Sequence, residues 1–484
     1  MKTLCLLLMS SFAAFAASSS VADAVQNRDL PTLRTLLKQN AAVNAAQADG
    51  TTALHWAAHW NDSETVGLLL KAGADPKAVN HYGATPLSEA AALGNATVIE
   101  QLLKAGANPN TPTTADGETV LMTSARAGNL DAVKVLLDHG ADVNAKEAYR
   151  GQTALMWAAA ERHASVVGLL LEHGADWKVQ SSFRETKIPK LSTASSISPI
   201  SRGGLTAFLF AAREGDIETA KAMLDHGVDI NQTDVDGTSG LVVSIMNKQY
   251  TFAKFMLDQG ADPNVTDVKG RAALYAAIDM RNEDWSALPM RKEQDPLPSM
   301  ELIKAILAHG GNPNAKLTHN LPGRSGMDYG DVALDEGTTP FMRAARSGDA
   351  ATMRVLLAAG ADPTVLTKDG NNALLFAAGI GYRDKQTQGT EAQALEALEL
   401  CMDQGMDLNQ TNGKGETALH GAANRGSDLL TKFLVEHGVK LDAKSKAGFT
   451  PLDIALGKDS FSLPVPHDST VALLRSLGGA EGTK

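Results

Sequence analysis

Histidine is the side chain of this sequence best suited to metal binding or proton transfer, and the chain contains twelve. Five of them directly precede a glycine at the end of an apolar, helix-like segment: His139, His173, His226, His309 and His437. At such a position an imidazole can interact favourably with the carboxyl end of a helix. Neighbouring helices pack about 10 Å apart, which is too far for two of these rings to share an ion at about 2 Å. We therefore expect helix-end histidines rather than a metal site.

A second candidate for metal chemistry is an acidic cluster formed by Asp328, Asp331, Asp335 and Glu336. These carboxylates could attract Ca²⁺, but their spacing matches no calcium loop motif, so we expect solvated acids. Cys401 falls in an apolar stripe and is expected to be a core residue rather than a nucleophile. We find no glycine-rich phosphate loop, nucleophile elbow or paired acid–base constellation. The expectation is a protein that is not an enzyme and that holds no metal or cofactor.

The composition excludes several classes of protein. The chain has 44 Lys and Arg against 55 Asp and Glu, a net charge of −11, which excludes a generally basic nucleic-acid binder. Apolar residues make up 44% of the chain, too many for a disordered protein. Two cysteines exclude a disulfide scaffold and any multi-cysteine zinc module. At the usual domain size, 484 residues would make about three domains.

The N-terminal segment, residues 1–16, has the features of a signal peptide. Lys2 supplies a positive charge, residues 4–15 form a short apolar run, and Ala14-Phe15-Ala16 has the small-x-small pattern that signal peptidase recognises. The pattern predicts cleavage after Ala16 and export, to a bacterial periplasm first, with secretion as an alternative. No later stretch reaches about 18 uncharged apolar residues, so we expect no stable membrane insertion after cleavage.

A repeat of about 33 residues organises the rest of the chain. Similar short motifs open successive segments at Thr52, Thr85, Thr119, Thr153, Thr206, Ser239, Ala272, Thr339, Asn372, Thr417 and Thr450. A glycine stands 21 residues after most openings, as at Gly73 and Gly106. It is often followed by Ala-Asp or Ala-Asn and then by Asn, and the segment before it is amphipathic with a helical period.

These motifs, such as Thr52-Ala53-Leu54-His55 and Gly106-Ala107-Asn108-Pro109-Asn110, resemble the ankyrin repeat. The resemblance covers nearly all of the chain after the leader. It implies an all-α ankyrin-repeat solenoid of helix–turn–helix units with β-hairpin finger loops. In each repeat the opening Thr can cap the first helix and the glycine permits a left-handed end to the second. The resemblance also places His55 and His420 at a position that forms hydrogen bonds between repeats.

Twelve repeats with four interruptions account for the chain. The predicted divisions are a signal peptide (1–16), an N-terminal capping repeat (17–48), repeats 2–5 (49–177), an extended finger loop (178–204), repeats 6–8 (205–314) with a helix–helix insertion (281–298), a second extended finger loop (315–335), repeats 9–11 (336–446) with an insertion (379–393), and a C-terminal capping repeat with its tail (447–484). Insertions in a solenoid often bind partners, but lengthening a loop costs little, so both interpretations of the fingers stay open.

In ankyrin proteins partners usually contact the finger tips and the inner face of the first helices. Carried onto this sequence, that resemblance gives a concave strip of His59, Trp60, Tyr82, Arg126, Tyr149, Arg150, Arg213, Met246 and Arg346. Trp, Tyr and Arg are the residue types that contribute most to interfaces. A second aromatic set, four residues after the openings, is expected to pack between helices: Trp56, Trp157, Phe210, Tyr275 and Phe376.

The sequence therefore favours a non-enzymatic scaffold of the cell envelope, a monomer that binds one or more partner proteins through the concave strip and the fingers, and no nucleic acid. Two alternatives remain. One is a periplasmic accessory protein that binds a small ligand or metal through its inserted loops. The other is a secreted effector that acts on host proteins.

Overall fold

The computed structural model describes residues 20–185, 201–283, 295–321, 333–383, 387–458 and 466–482. The described chain divides into two compact units. Unit 1 comprises the residues up to Arg184 together with Gly203–Asp229, and unit 2 comprises the others. Both units are built from pairs of short antiparallel helices, which is the all-α repeat architecture that the sequence predicts.

Unit 1 contains six helix pairs among its described residues. They are α1 (Ser20–Gln26) and α2 (Leu30–Lys38), α3 (Ala53–His59) and α4 (Ser63–Lys71), α5 (Pro86–Leu93) and α6 (Ala96–Lys104), α7 (Val120–Arg126) and α8 (Leu130–Asp138), α9 (Ala154–Ala160) and α10 (Ala164–Glu172), and α11 (Ala207–Glu214) and α12 (Ile217–Asp225). Only two or three residues separate the two helices of each pair.

Unit 2 contains six further pairs among the residues described. They are α13 (Gly240–Met246) and α14 (Tyr250–Asp258), α15 (Ala273–Arg281) and α16 (Ser299–Ala308), α17 (Pro340–Arg346) and α18 (Ala350–Ala358), α19 (Ala373–Ala378) and α20 (Glu391–Asp403), α21 (Ala418–Arg425) and α22 (Asp428–Glu436), and α23 (Pro451–Ala455) and α24 (Asp468–Ser476). Long segments separate the helices of three of these pairs.

The first long finger begins as a hairpin. The backbone N–H of Ser181 donates to the carbonyl oxygen of Leu205 at 2.9 Å. Further out, two strands, β1 (Arg184–Glu185) and β2 (Ser201–Arg202), pair as a two-stranded sheet. Several predicted segments lie partly or wholly outside the described residues: the leader at 1–19, the two fingers at 186–200 and 322–332, and the insertions at 284–294 and 384–386.

The sequence misplaces the end of one insertion. The prediction extends it over residues 379–393, but α20 begins at Glu391. The cause is a capping box, in which Thr390 Oγ1 accepts from the Gln393 N–H at 3.2 Å and Gln393 Oε1 accepts from the Thr390 N–H at 2.9 Å. These two bonds satisfy N–H groups that the first turn of a helix leaves unpaired, so the helix starts there.

The opening threonines cap the first helices, as the sequence predicts. Thr85 Oγ1 accepts from the Ser88 N–H at 3.1 Å, and Thr119 Oγ1 accepts from the Met122 N–H at 3.3 Å. A buried alanine follows several of these caps, including Ala53. Small side chains let the first helices lie close together, and within each unit the first helices pack against the first helices of the neighbouring pairs.

The second helices supply most of the large aliphatic core. Val133 and Leu136, three residues apart on one face of α8, are both 0% exposed. Burial of such a side chain stabilises the fold by about 1.5–3 kcal/mol relative to exposure. Cys401 lies in the same stripe of α20 and is also fully buried, as the sequence predicts.

Hydrogen bonds between side chain and backbone connect successive repeats. His55 Nδ1 accepts from the Thr52 N–H at 3.2 Å, and its Nε2 donates to the Ala84 carbonyl oxygen of the next repeat at 3.0 Å. His420 repeats this arrangement with Thr417 and Phe449. The structural position that the family resemblance assigns to these two histidines is therefore confirmed.

A second connection comes from the asparagine that ends each glycine motif, to which the sequence analysis gives no role. Asn110 Nδ2 donates to the Gly140 carbonyl oxygen at 3.0 Å, and its Oδ1 accepts from the Asp142 N–H at 2.8 Å. Asn144 makes the same pair of bonds with the following repeat, and Asn264 and Asn314 do so in unit 2. One side chain thereby satisfies two backbone groups at the turn after a second helix.

Candidate partner-binding site

The end of α3 carries a compact aromatic cluster. The rings of Trp56 and Trp60 stack at 6.0 Å with an interplanar angle of 21°, and the guanidinium of Arg28 lies 4.2 Å from the Trp60 ring centroid. His59 packs edge-on to Trp60 at 4.9 Å, and its Nδ1 lies 2.9 Å from Glu89 Oε2. Trp60 is thus half-buried, and His59 is the exposed member of the cluster. A groove of about 340 Å³ adjoins Trp60 and Arg28.

Arginines at the ends of two later first helices are held in place by aromatic rings. The Arg126 guanidinium lies 5.1 Å from the Trp157 ring centroid, and that of Arg213 lies 4.8 Å from Phe210. Each also forms an ion pair, Arg126 with Glu118 at 3.1 Å and Arg213 with Glu214 at 2.8 Å. Two contacts on one side chain restrict its rotamers, so less conformational entropy is lost when a partner binds.

The finger tips of unit 1 expose large side chains. Tyr82 is 81% exposed and Tyr149 57% exposed, and the Arg150 guanidinium lies 5.5 Å from the Tyr149 ring. Phe183, on the long finger, is 55% exposed, and Leu93 at the end of α5 is 50% exposed. Phe183 is not among the residues predicted from the sequence, because its finger is Ser-rich and is interpreted as a loop. The signal that could have found it is the single aromatic within that polar segment.

Backbone hydrogen bonds hold these fingers side by side. The Ala148 N–H donates to the Asp116 carbonyl oxygen at 2.6 Å, and the Ser182 N–H donates to that of Arg150 at 2.6 Å. The His81 N–H donates to Asp49 in the same way at 2.8 Å. The fingers that carry Tyr149 and Phe183 are therefore bonded to each other, and the finger that carries Tyr82 is bonded to the finger before it.

In unit 2 the two predicted strip residues differ in their exposure to solvent. Met246, at the end of α13, is 40% exposed. Arg346 is only 2% exposed, and its Nη2 donates to the Gly381 carbonyl oxygen at 3.2 Å. The expectation of an accessible Arg346 is therefore wrong. Its physical cause is the insertion after α19, which folds back onto the end of α17.

That insertion, called here the strap (residues 379–383 and 387–389), is held by a second buried arginine. Arg425 is 9% exposed, donates from Nη2 to the Gly389 carbonyl oxygen at 3.0 Å, and stacks on the Tyr382 ring at 4.4 Å. Asn424 Nδ2 donates to the carbonyl oxygens of Gly379 and Tyr382 at 3.3 and 3.2 Å.

Close backbone contact lets the strap lie on α21. A Cβ at Gly421 would stand 2.8 Å from the Ile380 nitrogen, so a residue with a side chain would push the strap away. The strap therefore covers the end of α17, where Arg346 of the predicted strip lies, and the end of α21, where Arg425 lies.

The helix-end histidines behave as the sequence predicts. The Nδ1 atoms of His139, His173 and His226 bond to the carbonyl oxygens four residues earlier, at 2.9, 2.9 and 2.7 Å. His309 and His437 form the same bond at 2.8 Å. Within the described ranges, no three His, Cys, Asp or Glu side chains converge as a ligand set for a metal.

The other groups considered for chemistry are Cys401 and the acidic cluster. Burial raises the pKa of the Cys401 thiol to about 12, so it is not a thiolate near neutral pH. Glu336 pairs with Lys368 at 2.9 Å, and burial, with the nearby Asp369 carboxylate, raises the pKa of Asp335 to about 6. Asp328 and Asp331 lie outside the described residues.

Comparison with protein families agrees with this geometry. The family model "Ankyrin repeats (3 copies)" matches residues 21–113, 87–181, 208–286 and 389–475, and the model "Ankyrin repeat" matches residues 336–368. Together these matches cover well over half of the chain, which belongs to the ankyrin-repeat family. Ankyrin repeats generally mediate protein–protein interaction, and proteins of this family are typically non-enzymatic binding scaffolds.

Individual relatives are similar over shorter stretches. The chain is 32% identical to mouse ankyrin repeat and SOCS box protein 16 over 118 residues, 24% of this chain and 25% of that one. It is 33% identical to the Drosophila melanogaster NF-kappa-B inhibitor cactus over 123 residues, 21% of this chain and 24% of that one. The match thus spans about a quarter of the length of each of these relatives.

Among solved structures, the chain is similar to the human ASB11 ankyrin repeat domain. The two share 23% identity with a TM-score of 0.38, over 47% of this chain and 91% of that chain. Separately, no helix in the described part of the chain combines the length and the apolar character needed to cross a bilayer.

Proposed function

We propose that the protein is a non-enzymatic scaffold of the cell envelope that binds a partner protein through unit 1. The contact surface comprises the finger tips at Tyr82, Tyr149 and Phe183 and the first-helix ends at Trp60 and Arg126. The leader at residues 1–16 directs export to the periplasm, with secretion as the alternative destination.

The observation that supports the proposal most is the exposure of large apolar side chains on the fingers of unit 1. Tyr82 at 81% and Tyr149 at 57% exposed are among the most exposed large side chains of the described chain. Aromatic residues of this kind supply most of the binding energy at protein interfaces. In the described part of unit 1 the helix–helix turns are only two or three residues long, so none of them forms a strap over the first-helix ends.

Unit 2 is less suited to the same role. There the strap occupies the ends of α17 and α21 and buries Arg346 and Arg425. A partner that used these positions would first have to displace three or more hydrogen bonds, each worth about 1 kcal/mol net. We therefore propose unit 1 for the partner surface.

The partner contact is tested by affinity purification and quantitative mass spectrometry from envelope extracts. Tyr82→Ala together with Tyr149→Ala, and separately Trp60→Ala together with Arg126→Ala, are expected to reduce recovery of a stoichiometric partner about tenfold or more. The matched control is Val268→Ala together with Leu366→Ala, since these side chains are exposed apolar residues of unit 2, at 58% and 45%. If the control pair reduces recovery and the unit 1 pairs do not, the assignment to unit 1 is wrong.

The location is tested by N-terminal sequencing of the protein purified from cell fractions. A mature chain that begins at or within a few residues of Ala17 and fractionates with the envelope supports export. An uncleaved chain in the cytosol contradicts it.

A further inference from the structure

The strap is held on unit 2 in the way that a bound peptide is held. Hydrogen bonds run from side chains at the covered helix ends to main-chain carbonyl oxygens of the strap. Arg346 donates to Gly381 and Arg425 donates to Gly389, and Asn424 donates to two further carbonyl oxygens. Because these acceptors belong to the backbone, another extended segment can accept the same bonds.

The space that the strap occupies is left by a missing side chain. Gly421 stands four residues after the opening of its repeat, at the position that Trp56 and Trp157 have in theirs. A Cβ at Gly421 would stand 2.8 Å from the Ile380 nitrogen, so strap backbone lies where the equivalent residue of another repeat has an aromatic ring. The end of α21 therefore forms a groove that accommodates extended backbone.

The strap leaves one charged group of this groove without a counter-ion. Arg425 is 9% exposed, bonds to the Gly389 carbonyl oxygen and stacks on the Tyr382 ring, and it forms no ion pair with a described residue. Burial lowers the pKa of its guanidinium, and the Glu391 carboxylate offsets this only in part. A buried cation is costly unless it is paired with an anion.

Another buried arginine of unit 2 has the partner that Arg425 lacks. Arg343 is 2% exposed and lies 2.7 Å from the Asp279 carboxylate. A hydrogen bond between two charged groups is roughly twice as strong as one between neutral groups. A segment that brings a carboxylate to the position of the Gly389 carbonyl group would therefore bind Arg425 more strongly than the strap does.

We propose that the groove beneath the strap is a second protein-binding surface, which the strap keeps closed until an extended partner segment displaces it. The partner segment places a carboxylate against Arg425 and accepts from Arg346 and Asn424 through its main chain. The strap is then an internal competitor of that partner. This surface lies in unit 2 and does not depend on the contact proposed for unit 1.

Fluorescence anisotropy with a labelled peptide of residues 377–389 tests the proposal on the full chain. The peptide ends at Gly389, so its free carboxylate stands where Arg425 donates, and the C-terminal amide of the same peptide lacks that charge. Gly389→Val and Gly381→Val open the strap without changing the groove. Both glycines have a positive φ, and a Cβ would stand 2.3 Å from the Ser347 carbonyl oxygen or from the Ala333 Cβ, respectively.

Both opened variants are expected to bind the acid peptide about tenfold or more tightly than the wild type, because the closed strap lowers the population that can bind. They should prefer the acid to the amide by about fivefold to tenfold. Arg425→Ala, added to Gly389→Val, should abolish that preference. The matched control is Arg354→Ala in the same background, which removes an exposed arginine of unit 2 and should keep the preference.

The proposal is overturned if folded, opened variants bind the acid peptide no more tightly than the wild type, or if acid and amide bind equally. A second measurement uses the isotope-labelled wild type, in which millimolar acid peptide should accelerate hydrogen exchange at residues 387–389; unchanged exchange would also overturn the proposal. Tyr82→Ala together with Tyr149→Ala should leave peptide binding unchanged, so failure here is distinct from failure of the unit 1 surface.

Discussion

The Arg346 guanidinium donates a hydrogen bond to the carbonyl oxygen of Gly381 at 3.2 Å, across the end of a first helix that the sequence predicts to be open. Arg425 makes the equivalent contact with Gly389 two repeats later. The two buried arginines hold one inserted segment over the surface that ankyrin repeats commonly use for partners. The two units of this protein therefore differ in what their first-helix ends can bind.

The strap is expected to depend on Arg425. Arg425→Ala removes the donor to the partly buried Gly389 carbonyl oxygen and the stacking on Tyr382, at a cost of about 1 kcal/mol. Hydrogen exchange should show faster exchange in α21 and around residues 387–389. Arg354→Ala, at an exposed ion pair, is the control and should change exchange little. Unchanged protection of the strap in Arg425→Ala would contradict this role.

Histidine 55 should make the stability of the first repeats depend on pH. Burial lowers the pKa of the His55 imidazole from its ordinary value of 6.5, and Nδ1 accepts while Nε2 donates, so the folded state holds the neutral ring. The stabilisation is complete above pH 6.5 and is lost as the pH falls through the lowered folded-state pKa, by at most about 1.4 kcal/mol per pH unit.

The measurement is urea unfolding followed by the fluorescence of Trp56 and Trp60, which belong to the same repeat. His55→Gln keeps a side chain suited to the capping box and removes the titration. The wild type is expected to lose more stability than His55→Gln as the pH falls below 6.5. Parallel pH profiles for the two proteins would show that His55 does not titrate as described.

Asp335 is expected to change the stability with pH in the opposite direction to His55. Burial and the neighbouring Asp369 carboxylate raise its pKa to about 6, so the folded state binds a proton that the unfolded chain releases near pH 3.8. Stability from this group is present below pH 3.8 and is lost as the pH rises through 6. Asp335→Asn should therefore stabilise unit 2 at pH 7, by about 1 kcal/mol after allowance for solvent screening.

Carbon-13 NMR of the Asp335 carboxyl group measures this pKa directly. Asp369→Asn removes the neighbouring negative charge and should move the Asp335 titration towards lower pH. A wild-type midpoint close to 3.8 would contradict the effect of burial.

The asparagine connections should contribute to stability at each junction. Asn110→Ala removes the donor to Gly140 and the acceptor from Asp142, two bonds of about 1 kcal/mol each. Asn110→Asp keeps the acceptor and loses only the donor, so it should cost about half as much. Equal free energies of unfolding for wild type and Asn110→Ala would mean that the junction is held by packing alone.

Local sequence signals predict the repeating part of this structure well. The capping role of Thr85, the helix-end bond of His139 and the burial of Cys401 each depend on residues within one repeat or its immediate neighbour. Because the repeat has a fixed period, a role recognised in one repeat predicts the role of the equivalent residue in the next. The family resemblance adds the inter-repeat bond of His55 in the same way.

The course of the strap could not be predicted, because loop length does not determine which surface a loop contacts. The position of Arg346 seven residues after an opening is the same as that of Arg126, yet one is buried and the other is half-exposed. Arg346 donates to the Gly381 carbonyl oxygen of the strap, whereas Arg126 forms an ion pair with Glu118.

Site-specific photocrosslinking tests the central claim, a partner surface on unit 1, most directly. A benzophenone amino acid replaces Tyr82 or Tyr149 in unit 1, or Leu366 as the exposed control position in unit 2, and the envelope-located protein is irradiated in cells. We predict one protein adduct at positions 82 and 149 and none at position 366. An adduct with the same protein at position 366 and none at positions 82 and 149 would show that the partner does not bind through unit 1.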